Sequence, residues 1–270
     1  MTIKPYYETE LGKLYHGDCL QIMPELEPVD LVLTSPPYDN LRSYRGYSFS
    51  WRQTIICVRE ILKQGAVCVW VVSDETKNGS ESGTSFRQAL WFIDSGLNLH
   101  DTMFYKKTPM PLTHNRYEQA IEYMFVFSYG KPKTFNPIMV PCSQAGKSLS
   151  GSTRRHTGGH EKTPLHKPTT TKGHKIKDNV WEYGVGFNKT TQDRIAYEHP
   201  AIFPELLAHD HILSWSNKGD TVADIMCGSG TTLKQAEKLE RKWIGIEIEE
   251  KYCEIAAKRI EQERKQLKLF

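Results

Sequence analysis

Ser35-Pro36-Pro37-Tyr38 halts a short apolar run, Leu31-Val32-Leu33-Thr34, with two prolines and an aromatic ring. The prolines can neither donate to a sheet nor continue a helix, so the chain must turn there. The turn predicts two acceptors without regular partners, the Ser35 hydroxyl and the Pro36 carbonyl, beside the flat face of Tyr38. Such a set suits an amino group carried on a planar ring. A second set lies near the other end, where Met226-Cys227-Gly228-Ser229-Gly230-Thr231-Thr232 forms a glycine-rich turn after an apolar strand. Glu247 closes the next strand roughly 20 residues on, the place of a carboxylate that takes ribose hydroxyls. The P-loop pattern GxxxxGK(S/T) is absent, and Leu233 stands where GxGxxG has its last glycine. An adenosine cofactor without phosphate satisfies these constraints. Alone, a GSG turn is equally compatible with a purely structural role.

The elements that must carry these residues alternate. Val29 to Leu33 reads as a buried strand delivering the Ser35 turn to a sheet edge. Asp18, after Gly17, reads as the N-cap of a short helix through Ile22 and Met23, or as an acceptor for a ligand amine. Asp39 to Tyr47 is predicted to be a loop over the site. A helix carrying Ile55, Ile56, Val58, Ile61 and Leu62 is expected to stop at Gly65, before a doubly buried strand from Ala66 to Val72. Further strands are predicted at Thr102 to Lys106, Ile121 to Ser128, Thr221 to Ile225 and Trp243 to Ile248. Helices are predicted at Phe86 to Ile93, from Pro204 to about Ser214, at Leu233 to Leu239 and at Lys251 to Leu267, where Tyr252, Ile255, Ala256 and Ile260 form the inner stripe. Strands alternating with helices indicate an α/β fold.

A chain of 270 residues, 39% hydrophobic and 25% charged, suffices for one large domain or two small ones. No apolar run approaches membrane length, and Met1-Thr2-Ile3-Lys4-Pro5 lacks a signal-peptide core, so a cytoplasmic protein without a membrane partner is expected. The six cysteines form no CxxC pair and read as reduced thiols. Cys142 with His156, His160, His166 and His174 lacks finger spacing, so no metal site is expected. Charge is uneven. Lys131 to Lys177 holds ten Lys or Arg against one acid, Glu161, a local +9 within a net +3 that leaves −6 for the remainder. This block is rich in Gly, Pro, Ser and Thr, and a polyanion is its natural partner.

Five segments in order resemble the AdoMet-dependent DNA amino-methyltransferases of the permuted beta class. Thr34-Ser35-Pro36-Pro37-Tyr38 is similar to their (D/N/S/T)-P-P-(Y/F/W) motif, Asp224 to Thr232 to DPFxGSGTT, His199-Pro200-Ala201 with Pro204 and Leu206 to HPxxxPxxL, and Gly17-Asp18-Cys19 to GDC. The basic block lies where their target-recognition region does. One departure is Ile225-Met226-Cys227 in place of Pro-Phe-x, beside the methionine part of the cofactor. The resemblance implies a Rossmann-like methyltransferase fold, with a mostly parallel sheet in permuted order. It divides the chain into a catalytic half at 1–130, a recognition insertion at 131–197 and an AdoMet-binding half at 198–270.

The resemblance further implies roles. Ser35, Pro36, Pro37 and Tyr38 would hold and stack a flipped base, and the methyl group of S-adenosyl-L-methionine (AdoMet) would transfer by in-line displacement. Asp18, Cys19, His199, Pro200, Phe203, Asp224, Cys227, Gly228, Ser229, Gly230, Thr231, Thr232, Glu247 and Ile248 would bind the cofactor, with Glu247 on the ribose and Asp18 near the adenine amine. Arg42, Arg45, Lys147, Arg154, Arg155, Lys162, Lys172 and Lys175 would contact double-stranded DNA. Serine before Pro-Pro is commoner in cytosine-N4 enzymes and Asp or Asn in adenine-N6 enzymes, so Ser35 favours cytosine N4 over adenine N6. Cytosine C5 chemistry lacks its cysteine context, since Cys142 lies in the basic block. A DNA-binding relative without activity and an RNA or protein methyltransferase are the competing readings. The resemblance also implies a bacterial, archaeal or phage-encoded monomer or homodimer, with a cognate restriction endonuclease as a further partner.

Overall fold

The structure, a computed structural model, describes residues 3–38, 49–107, 117–149 and 169–267. It contains two compact units, one formed by Met1–Asn136 with Asn179–Phe270 and the other by Pro137–Asp178. The first is built on a nine-stranded sheet: β1 (Tyr7–Glu8), β2 (Gly12–His16), β3 (Val29–Thr34), β4 (Leu62–Val72), β5 (Asn98–Lys106), β6 (Ile121–Ser128), β7 (Val180–Glu182), β8 (Thr221–Asp224) and β9 (Lys242–Glu247). The spatial order is β1-β2-β9-β8-β3-β4-β6-β5-β7. From β2 through β4 all strands run parallel; β6 runs against both β4 and β5, and β1 against β2. The α/β layering is the one the alternating pattern predicts, and the mostly parallel sheet is the one the resemblance implies.

The helices are α1 (Cys19–Ile22), α2 (Trp51–Ile61), α3 (Thr84–Asp94), α4 (Glu205–Trp215), α5 (Thr231–Lys238) and α6 (Glu250–Leu267). Side chains alternate across the sheet. Val32, Cys68, Trp70 and Phe127 point into a core with Ile55, Val58 and Ile61 of α2 and Phe92 of α3. Leu31, Leu33, Val69 and Val71 are equally buried but stand outside that cluster. Helices α4, α5 and α6 pack on one another, α4 also meeting β3 and α5 meeting β8 and β9.

Two boundaries differ most from the sequence expectation: β5 begins at Asn98 rather than Thr102, and the junction of α2 with β4 moves. Helix α2 stops at Ile61, not at Gly65, because Leu62 is already extended and pairs with Val29 across β3. Leu62 fits the helical stripe at the spacing of Val58 and Ile61, but the sheet claims its backbone. Gly65, at φ +83°, instead sits inside β4 where the pairing register shifts, and a Cβ there would stand 2.4 Å from Lys133 Cγ.

The second unit holds two short antiparallel ladders, Met139–Pro141 against His174–Ile176 and Ser148–Leu149 against Thr169–Thr170. Its lack of regular period matches the sequence. Lys147, Lys172 and Lys175 are exposed, and none of the three pairs with an acid among the described residues.

Candidate active site

Because β2, β9, β8, β3 and β4 run parallel, their carboxyl ends share one edge of the sheet. That edge carries Gly17-Asp18 after β2, Glu247 at the end of β9, Asp224 at the end of β8 and Ser35 after β3. From β8 the chain moves to β9 on one side, and from β3 to β4 on the other. The gap between β8 and β3 is therefore a topological switch point, where ligands of open α/β sheets bind. Two contacts close it: Thr34 Oγ1 donates to Asp224 Oδ1 at 2.8 Å, and Thr232 Oγ1 donates to the Leu33 carbonyl at 3.4 Å. Residues far apart in sequence, the Ser35 turn and the glycine turn, are thereby brought together.

On the Ser35 side, Pro36 is buried, while Ser35, Pro37 and Tyr38 are partly exposed. The serine hydroxyl is not without a partner, as the sequence suggested. Ser35 Oγ lies 3.0 Å from the Tyr38 hydroxyl, which donates to Glu122 Oε2 at 3.1 Å. The other oxygen of Glu122 takes a short hydrogen bond from Lys107 Nζ. Glu122 and Lys107 are absent from the sequence-derived set. The available signal was a single acid, Glu122, in the otherwise apolar strand β6.

On the glycine side, each of two glycines has a packing reason. Gly228, at φ +50°, lies so close to His199 that a Cβ would stand 2.7 Å from Nε2, and Gly230, at φ +76°, would put a Cβ 2.6 Å from that of Ala256. His199 accepts the Ala201 N–H at Nδ1, 3.1 Å away, so a neutral ring carries its proton on Nε2, facing the loop. Tyr252 meets the same ring edge-on at 4.3 Å. Pro200 is exposed and Phe203 half-buried nearby in sequence, before α4.

Beneath the loop lies a charge cluster that sequence reasoning missed. Arg259 is 0% exposed. It donates to the Ser229 carbonyl at 2.7 Å, to Ser229 Oγ and Thr231 Oγ1 at 3.1 Å, to Asp193 at 2.9 Å and to Glu205 at 2.7 Å. Lys234 joins the same two acids at 2.8 and 3.0 Å. Burial works against the charge on Asp193, but hydrogen bonds from Lys234 and Arg259 hold its carboxyl below the usual range. Ser229 and Thr231 are thus fixed from below. Arg259 continues the stripe of Ile255 and Ala256 at helical spacing, which was the signal for an inward-pointing arginine.

The carboxylates differ in setting. Burial raises Asp224 to about 6, against the Thr232, Thr34 and Met226 hydrogen bonds that favour its charge. Burial also raises Glu247, whose oxygens accept the Gly228 N–H at 2.8 Å and the Glu249 N–H at 2.9 Å. Asp18 caps α1 by accepting the Leu20 N–H at 2.9 Å, the structural role its position predicts. Cys19 is pushed up to about 12 and Cys227 well above the ordinary thiol value, burial being the main cause in both, so they line the edge as neutral groups. Ile225, at the departure from Pro-Phe-x, is buried in the core.

A family profile described as DNA methylase, covering the N6 and N4 methyltransferases, matches residues 29–258. The chain belongs to this family. Among relatives, the orphan methyltransferase M.BamHII of Bacillus amyloliquefaciens is 48% identical over 251 residues, 90% of each chain. The PvuII DNA methyltransferase, described as cytosine-N4-specific, superposes with a TM-score of 0.68 at 24% identity, covering 96% of this chain and 89% of that one. The M1.HpyAVI–SAM complex gives 0.60 at 22% identity, covering 92% and 99%. These two likenesses establish the Rossmann-like methyltransferase fold.

The methyl donor of this DNA methylase family is AdoMet, and the donor set at the edge fits it. The oxygens of Glu247 accept the Gly228 and Glu249 N–H groups and have acceptor capacity beyond these two for ribose hydroxyls. Asp18 has an oxygen beyond the one used in capping. Ile248, half-buried, follows Glu247 at the strand end. Arg42, Arg45, Arg154, Arg155 and Lys162 lie outside the described residues, as does the Asp39–Tyr47 loop. No described helix is long and apolar enough to cross a membrane.

Proposed function

We propose that this DNA methyltransferase is site-specific and methylates the exocyclic N4 amine of a cytosine flipped out of double-stranded DNA. The observation that carries the base assignment is Ser35 at the head of the Pro-Pro turn, immediately after the strand that meets the glycine-loop strand at Thr34–Asp224.

Bound AdoMet supplies a methyl group on a sulfonium. The protein's task is to present a nitrogen whose lone pair is delocalised into its ring. The Ser35 hydroxyl and the Pro36 carbonyl accept the two amine hydrogens, which favours a pyramidal nitrogen aimed at the cofactor. Catalysis is then orientation and hydrogen bonding, with no covalent intermediate on the protein. Tyr38 offers its ring face to the extruded base. Glu247 takes the ribose hydroxyls, Asp18 the adenine amine, and Asp224 orients the loop and meets the methionine ammonium, with Cys19, His199, Pro200, Phe203, Cys227 to Thr232 and Ile248 forming the remaining wall.

The chain divides into catalytic residues 1–130, a recognition region at 131–197 and a cofactor half at 198–270. Lysines and arginines of the recognition region, including Lys147, Lys172 and Lys175, contact phosphates. The deciding experiment incubates unmethylated genomic DNA with protein and AdoMet, followed by nucleoside mass spectrometry. N4-methylcytosine is expected. N6-methyladenine would overturn the base assignment alone, and no methylated base would overturn the activity.

A further inference from the structure

Polarity in the hydrogen-bond chain Ser35–Tyr38–Glu122–Lys107 determines what Ser35 shows a substrate. Lys107 carries only donors and occupies one oxygen of Glu122. The second oxygen, also only an acceptor when ionised, takes the single proton of the Tyr38 hydroxyl at 3.1 Å. With that proton committed, the 3.0 Å contact between Ser35 and Tyr38 requires Ser35 to donate. The Ser35 proton therefore points toward Tyr38, and the oxygen's lone pairs remain for an incoming amine.

We propose that Glu122, held by Lys107, is a positioning residue that acts through Tyr38 to fix the Ser35 hydroxyl as an acceptor toward the exocyclic amine. This rests on the methyl-transfer reading and deepens it by selecting among bases. A fixed acceptor takes the N–H of an amine and rejects a ring carbonyl at the same place, so thymine is refused even when extruded.

The arrangement makes an unusual demand on substitutions. In Glu122→Gln the donor-only Lys107 claims the amide oxygen, which turns the amide N–H₂ toward Tyr38. The chain then reverses: Tyr38 donates to Ser35, and the serine proton enters the space of the amine hydrogens. Glu122→Gln with Lys107→Met frees the amide to present its oxygen to Tyr38 again.

The test measures methyl incorporation into unmethylated genomic DNA at saturating substrates, with AdoMet affinity measured separately for each full-length variant. Glu122→Gln is expected to lower kcat about 100-fold, the scale of one misdirected catalytic hydrogen bond. AdoMet affinity should hold within about twofold, and adding Lys107→Met should recover at least about tenfold of the lost rate. In a Tyr38→Phe background, where the chain is cut, Glu122→Gln should change kcat by less than about twofold. No recovery on adding Lys107→Met, an undiminished Glu122→Gln effect without the tyrosine hydroxyl, or AdoMet affinity falling in step with kcat would each overturn the positioning role. A wild-type protein that methylates nothing overturns the methyl-transfer reading instead.

Discussion

Thr34 and Asp224, 190 positions apart, meet through a 2.8 Å hydrogen bond between the ends of adjacent parallel strands. The bond ties the strand before the Ser35 turn to the strand before the glycine turn. Asp224 is 1% exposed, so its carboxylate is poorly solvated.

Burial raises Asp224 to about 6, which sets the sign of its contribution to stability. A carboxyl raised on folding stabilises the protein below the ordinary carboxylate range, and that contribution is lost as pH rises through about 6. Asp224→Asn does not ionise, so its stability relative to wild type should improve between about pH 4 and pH 7.5, by on the order of 2–3 kcal/mol. Urea unfolding of both proteins at the two pH values measures it. A difference independent of pH would show that Asp224 is not the titrating group.

The platform that holds this pair is legible in the sequence, because β3, β4 and β8 are short apolar runs whose ends are marked by prolines, glycines or acids. The end of α2 is not, since Leu62 satisfies a helical stripe and a strand equally, and only its pairing with Val29 decides. Likewise the residue types of Ser35, Tyr38, Asp224 and Glu247 announce chemistry, whereas their partners do not. Glu122 reaches Tyr38 only after β3 and β6, distant in sequence, take their places on either side of β4, and Arg259 resembles an ordinary charge on a charged helix until its stripe is traced.

Gly230 is required by helix packing. An added Cβ would sit 2.6 Å from that of Ala256, on a backbone at φ +76°. Gly230→Ala is expected to destabilise by about 1–3 kcal/mol, from overpacking and backbone strain together. Adding Ala256→Gly relieves the contact and leaves the strain, so the double variant should recover part of the loss. Thermal or urea unfolding of the three variants gives the two contributions separately.

Ser35 and Glu247 should separate rate from cofactor binding. Ser35→Ala removes an acceptor that acts on the amine, so kcat should fall about 100-fold with AdoMet affinity nearly unchanged. Glu247→Gln replaces a charged acceptor with a neutral one, and AdoMet affinity should weaken about 10-fold or more. Steady-state kinetics with direct cofactor titration checks both, and equal loss of both quantities in Ser35→Ala would remove it from the amine.

Arg259 should be needed for folding as much as for the loop. Replacing it with Met leaves Asp193 and Glu205 without the guanidinium and the Ser229 carbonyl without its donor. Breaking one side of a buried ion cluster costs about 3–5 kcal/mol, far more than a surface pair. Lys234 remains against both acids and sets the loss toward the lower end. Denaturant midpoints of Arg259→Met and of the exposed pair variant Lys258→Met provide the contrast.

Lys147, Lys172 and Lys175 are exposed in the unit spanning Pro137–Asp178, and their replacement tests the basic block without touching the cofactor edge. If each neutralises a phosphate, the slope of log affinity against log salt should lose about 0.9 per lysine, or about 2.7 in the triple alanine variant. AdoMet affinity should stay the same. Fluorescence anisotropy on duplex DNA across a salt series measures the slope, and an unchanged slope with intact cofactor binding would place the DNA elsewhere.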